Sequence, residues 1–203
     1  MSNKQIEFAG ESYLVSPKAM PEALKKKLEG EPLKTYLSLL ERVQRSPKKV
    51  YAEIKAFSKN HLDVPEVINL LTFAHIRNRK IAAAEKLIQT TFEKHPDYLF
   101  ARINYADQCL RKKKLEKIPE LFPSFNLKQL YPERKVFHTS EFRGYMVFMS
   151  YYFLAKKERE NALPYFEKAK EVDPFDRSVI FLEKKLFQKS LLRRLLASRK
   201  AKP

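Results

Sequence analysis

The chain of 203 residues has no tryptophan, one cysteine, three glycines and four histidines. A single cysteine, Cys109, excludes an internal disulfide. It falls at a packing position of a predicted helix, where a small buried hydrophobe is expected rather than a reactive thiol. Three isolated glycines cannot build a glycine-rich phosphate loop. Neither an HExxH helix nor a CxxC pair occurs, so zinc has no obvious home. His61, His75, His95 and His138 are scattered, and nothing marks a nucleophile elbow. No run of about 18 apolar residues offers a transmembrane helix. The opening stretch MSNKQIEFAGESYLV lacks an apolar signal core and carries acidic residues, which argues against secretion and organellar import. These absences lead to the expectation of a cytoplasmic protein that is not an enzyme and uses no cofactor or metal.

What is present points to helices. Hydrophobic residues make up 44% of the chain, enough for a real core, and alternating apolar–polar runs are almost missing. The one strand-like stretch, Ile6–Val15, reads equally as extended or as disordered chain, and residues 1–20 as a whole read as a flexible N-terminal arm. The net charge of +17, from 41 basic and 24 acidic side chains, favours an anionic partner such as nucleic acid, an acidic protein or an anionic lipid surface. A solvated, lysine-rich surface accounts for the same excess, because Lys is scattered through every segment.

Along the chain, a short helix at Glu22–Leu28 is halted near Gly30, and another runs from Glu31–Pro32 to about Arg45. Ser46–Pro47 places an N-cap residue before a proline at the first helical position and launches Lys48–Lys59. Helices follow at about Pro65–Asn78, Ile81–Lys94, Tyr98–Arg111 and Leu115–Phe122. The stretch Pro123–Thr139 lengthens a connection, and its apolar residues should pack. His138 and Glu141 are expected to cap the helix that follows. Pro119 and Pro164 each remove a helix hydrogen bond and should kink their helices. A C-terminal helix at about Arg177–Ala197 turns Val179–Leu186 inward.

Phe142 to Asp176 reads FRGYMVFMSYYFLAKKERENALPYFEKAKEVDPFD. Apolar or small residues fall at Met146, Met149, Ser150, Phe153, Ala162, Phe166 and Ala169, with a polar turn at Lys156–Arg159. Two short amphipathic helices crossing at Ser150 and Ala162 need that arrangement. The run resembles a tetratricopeptide repeat (TPR), a helix–turn–helix unit of about 34 residues. A unit from Pro65 to Pro96 repeats it with Ile68, Leu71, Thr72, Ala84, Ile88 and Thr91, departing only at His75. A third from Leu99 supplies Tyr105, Ala106, Cys109, Ile118 and Phe122. A degenerate one from about Glu31 places Leu37, Ser38, Val50, Ile54 and Phe57. The expected fold is therefore all-α: a TPR-like array of antiparallel helix pairs, an α-α superhelix, with a C-terminal capping helix. It would fill residues 21–198, with its clearest repeats at 65–98, 99–132 and 143–176, and leave 199–203 as a basic tail.

The resemblance implies a non-catalytic protein–protein interaction module, an adaptor or chaperone-like protein. Such a module binds a peptide or amphipathic helix of a partner in a concave groove lined by first helices. Carried onto this chain, the lining positions give Glu66, Asn69, Phe73 and Arg77, then Phe100, Ile103, Asp107 and Arg111, then Val147, Tyr151 and Leu154. Some family members clamp a C-terminal carboxylate at positions that are here Asn69, Phe73, Asn104, Gly144 and Phe148. Only Asn104 fits that pattern, so the clamp is rejected. The alternative is a basic helical-repeat protein that binds nucleic acid or an anionic surface through its positive charge. Residues 177–203 hold nine basic side chains and one acidic one, and Arg193, Arg194, Arg199 and Lys200 are the candidate contacts. Lys112–Lys114 add a second cluster. A homodimer through the C-terminal helix stays open.

Overall fold

A computed structural model describes residues 3–18 and 22–187. The chain divides into two compact units: Met20–Leu121, and Met1–Ala19 together with Phe122–Pro203. Both are mostly helical.

In the first unit, a short helix α1 (Glu22–Lys27) precedes the helix pair α2 (Glu31–Arg45) and α3 (Pro47–Lys59). The pair α4 (Pro65–Arg77) and α5 (Ile81–Lys94) follows. Next come α6 (Leu99–Arg111), a 3-10 turn at Leu115–Lys117, and the single turn α7 (Ile118–Leu121). The expected second helix at 115–122 is thus broken up. Pro119 has no amide hydrogen to donate, so only one α-turn forms there. In α2 the buried residues are Tyr36, Leu39 and Val43, which corrects the register expected from Leu37 and Ser38, both exposed. The helix α3 starts at Pro47 as expected, but the Ser46 side chain makes no capping bond. Leu24, Leu28, Val50, Ile54, Val67 and Leu70 build the core between these helices.

Among the described residues, the second unit holds the one departure from an all-helical chain. Residues expected to form a flexible arm instead make a hairpin of β1 (Lys4–Phe8) and β2 (Glu11–Ser16). Strand β3 (Val136–His138) adds in parallel to β2, with Leu14 opposite Val136 and Ser16 opposite His138. Ile6, Tyr13 and Val15 bury one face of this sheet, which is the reason the arm is ordered. The long connection packs as expected, through α8 (Leu127–Leu130) and β3. Asn126 caps α8, and its Oδ1 also accepts from the Tyr13 hydroxyl at 2.8 Å. The helix pair α9 (Thr139–Ala155) and α10 (Arg159–Val172) completes the unit with the helical residues 177–187, named α11. Met146, Met149, Ser150, Ala162, Phe166 and Ala169 are all buried, as the repeat pattern requires. His138 and Glu141 form a capping box at the start of α9. The helix α10 continues through Pro164. Val179, Leu182 and Leu186 bury the inner side of α11; the rest of the expected C-terminal helix lies outside the described residues.

Three turns between helices are built alike. Arg79, Lys113 and Lys157 adopt positive φ of 59°, 59° and 66°. In each, the next residue's N–H reaches back to a carbonyl of the preceding helix: Lys80 to His75, Lys114 to Cys109 and Glu158 to Phe153, all at 2.9 Å. This is the Schellman closure, here completed without glycine.

Candidate functional site

The residues that form one stripe of α4 and one stripe of α6 make the candidate surface. Asn69, Phe73 and Arg77 follow at intervals of four residues on α4, so they share a face. Phe100, Asn104, Asp107 and Arg111 share a face of α6 in the same way, at intervals of four, three and four. First helices pack beside first helices, α2 against α4 and α4 against α6, which places the two stripes on adjacent rods. Asn104 Nδ2 donates to Asn69 Oδ1 at 2.8 Å and ties the stripes together.

Each side chain then has a local state. Phe73 is half-buried and packs on the core shared by α1 to α4, so part of its ring stays open to solvent. Phe100 is also half-buried, with its ring 6.1 Å from that of Tyr98. Asp107 is not a lone charge, because Arg111 Nε donates to its Oδ2 at 2.9 Å. Arg111 also lies 3.7 Å from Glu85, which Lys112 engages at 2.9 Å. That hydrogen bond from Lys112 holds the Glu85 carboxyl below the usual carboxylate range. Arg77 is exposed, and Ile76 beside it is an exposed aliphatic that the repeat pattern did not single out. Glu66 and Ile103, two further positions carried from the resemblance, are buried.

Beneath this surface, His75 occupies the site where an aromatic or aliphatic residue is expected. It stays buried by pairing with Tyr51 of α3, whose hydroxyl lies 3.0 Å from Nδ1. Burial, reinforced by Lys80 and Lys55, pushes the His75 pKa down. Cys109 is buried, and burial pushes its thiol up, away from the reactive thiolate.

Val147, Tyr151 and Leu154 lie on α9, in the other unit. Val147 is 7% exposed and packs in the core, so it presents little to a partner. Tyr151 and Leu154 are half-buried, and the Lys185 ammonium sits 4.8 Å from the Tyr151 ring centroid. The structure thus brings Asn69, Phe73, Arg77, Phe100, Asp107 and Arg111 together within one unit. Arg193, Arg194, Arg199 and Lys200 lie outside the described residues. The Asn69–Asn104 bridge is the feature that sequence reasoning missed. The two asparagines lie 35 residues apart, one more than the repeat spacing, so the repeat alignment does not pair them. Among the described residues, no group of His, Cys, Asp and Glu is placed to hold a metal ion. No helix among them is long and apolar enough to cross a membrane.

No family model matches the chain, and no curated protein matches it. Among solved structures, "MamA RS-1 ArsTM double mutant" is similar at 12% identity and a TM-score of 0.45, covering 85% of this chain and 99% of that one.

Proposed function

We propose that this chain is a non-catalytic adaptor. In this reading it captures a peptide or an amphipathic helix of a partner protein on the α4/α6 face. The observation that carries the proposal is the Asn69–Asn104 bridge between adjacent first helices. It ties together the two helices that carry the half-buried rings Phe73 and Phe100. Such rings lose little entropy on binding and serve as anchors. The bridged amides suit backbone groups of an extended segment, and Arg77 suits a carboxylate.

The test is capture of a partner from native extract by the immobilised chain, after nuclease treatment and at high salt. A discrete protein should be retained by the wild type and lost by Phe100→Ala combined with Arg77→Glu. Arg77 is exposed and Phe100 only half-buried, so the melting temperature should fall modestly and the fold should survive. Equal capture by that variant, with its fold intact, overturns the groove as the binding face.

A further inference from the structure

Besides the α4/α6 face, the unit Met20–Leu121 carries a strongly charged edge. Its helix pairs turn at three tips. The first holds Arg45, Lys48 and Lys49, the second Arg77, Arg79 and Lys80, and the third Arg111–Lys114. All ten cations are exposed. None of the three tips contains a carboxylate. Arg45, Arg79 and Lys113 recur at a spacing of 34 residues, so each repeat delivers a cation to the same corner of its hairpin.

Hydrogen bonds place the tips side by side. The Asn78 amide of the second tip donates to the Pro47 carbonyl of the first at 3.2 Å. Lys80 Nζ lies 4.6 Å above the ring of Tyr51, one turn into α3. Glu85, one turn into α5, pairs with Lys112 and Arg111 of the third tip at 2.9 and 3.7 Å. The tips therefore form one row, spaced by about the 8–10 Å of neighbouring helices. Carboxylates offset only part of its charge: Glu41 meets Arg45, and Glu85 with Asp107 meets Arg111 and Lys112. Among the described residues, no carboxylate lies within ion-pair distance of Lys48, Lys49, Arg77, Arg79, Lys113 or Lys114.

We infer that this row of hairpin tips docks on an anionic lipid surface. Charge complementarity sets the sign of the partner. Two features then choose lipid over nucleic acid. The middle tip is flanked by exposed aliphatics, Ile76 at 43% and Ile81 at 46%, which suit the boundary between headgroups and acyl chains. No exposed aromatic lies in the tips, so unstacked bases have no platform there. Cations near an anionic bilayer contribute about 1 kcal/mol each, which is about fivefold in affinity per residue. This inference stands on residues at the turns and shares only Arg77 and Arg111 with the groove reading, so its decisive variants avoid both.

The experiment uses the full chain with vesicles of phosphatidylcholine, and of phosphatidylcholine and phosphatidylserine in equal parts. Binding is expected to the mixed vesicles alone and should weaken as salt rises. The decisive variant is Arg79→Gly with Lys113→Gly. Glycine accepts the positive φ at both sites, so the charges go while the turns are kept. Affinity should fall by about 25-fold, with the melting temperature no lower than that of the wild type. Lys48→Gln with Lys114→Gln, at ordinary surface positions, should fall as far and guards against any turn effect. Unchanged binding by both variants overturns the inference, and so does equal binding to the neutral vesicles. Loss only on Arg193→Gln with Arg194→Gln moves the contact to the tail and overturns it too. Duplex DNA or inorganic phosphate that displaces the chain from vesicles at matched charge would overturn lipid as the occupant.

Discussion

Replacing Ser150 by alanine should stabilise the chain. Ser150 lies on α9, where it is 0% exposed, and the facing helix α10 contributes the equally buried Ala162. Its hydroxyl has no hydrogen-bond partner. A buried polar group without a partner costs about 1–3 kcal/mol. Alanine removes that cost, adds roughly 0.5 kcal/mol of helix preference, and forfeits a few tenths in contacts to one lost atom. The net gain is about 1–3 kcal/mol, or roughly 2–12 °C in Tm. Calorimetry and urea unfolding both read it. Ser58→Ala is the control. That serine is just as deeply buried in α3, but its Oγ donates to the Ile54 carbonyl at 2.7 Å. Its replacement should give no gain. A Ser150→Ala variant that loses about 1 kcal/mol or more, beside a neutral Ser58→Ala, would refute the reasoning.

Two further outcomes are expected. Burial holds His75, His95 and His138 below the ordinary histidine value of 6.5. Nearby cations lower all three further. At His138 the Glu141 carboxylate and the Pro17 carbonyl oppose the shift without cancelling it. Above about pH 6.5 both folded and unfolded chains are neutral at these sites, so stability is flat. As pH falls below that value the unfolded chain takes up protons first, and stability drops until the folded values are reached. Urea midpoints across this window should decline with acid, and a rise would refute the assignment. Arg143→Met strands Asp173, which is mostly buried and takes Arg143 Nη1 at 2.6 Å, and frees Asp176, 3.2 Å from Nη2. A loss of about 2–3 kcal/mol is expected, and one below about 0.5 kcal/mol would place the pair with ordinary surface bridges.

Helices were legible where local signals agreed. Pro65, Asn78, Lys80 and His95 mark ends that the backbone honours to within a residue or two. Ser150 and Ala162, the small residues expected where α9 and α10 pack, are both fully buried. The register of α2 was not legible. YLSLL offers apolar residues to every side, and packing against α1 and α4 chose Tyr36 and Leu39. The sheet stayed hidden because β3 is three residues long and its partner strand sits at the far end of the sequence. For the candidate surface, resemblance named the positions, but only coordinates could tell the half-open Phe73 from the buried Val147. Charge at the turns was visible as composition. That the turns stand in a row depends on bonds such as Asn78 to Pro47, which no periodicity announces.

The parallel pairing of β2 with β3 also orders events during synthesis. Leu14 meets Val136, a residue made 122 positions later. At translation speeds of about 5–20 residues per second, the hairpin waits roughly 6–24 s for that strand. The intervening residues can meanwhile fold on their own contacts. The start of the chain is thus among the last parts to settle, and a ribosome that pauses before residue 136 leaves a bare strand edge open to mispairing.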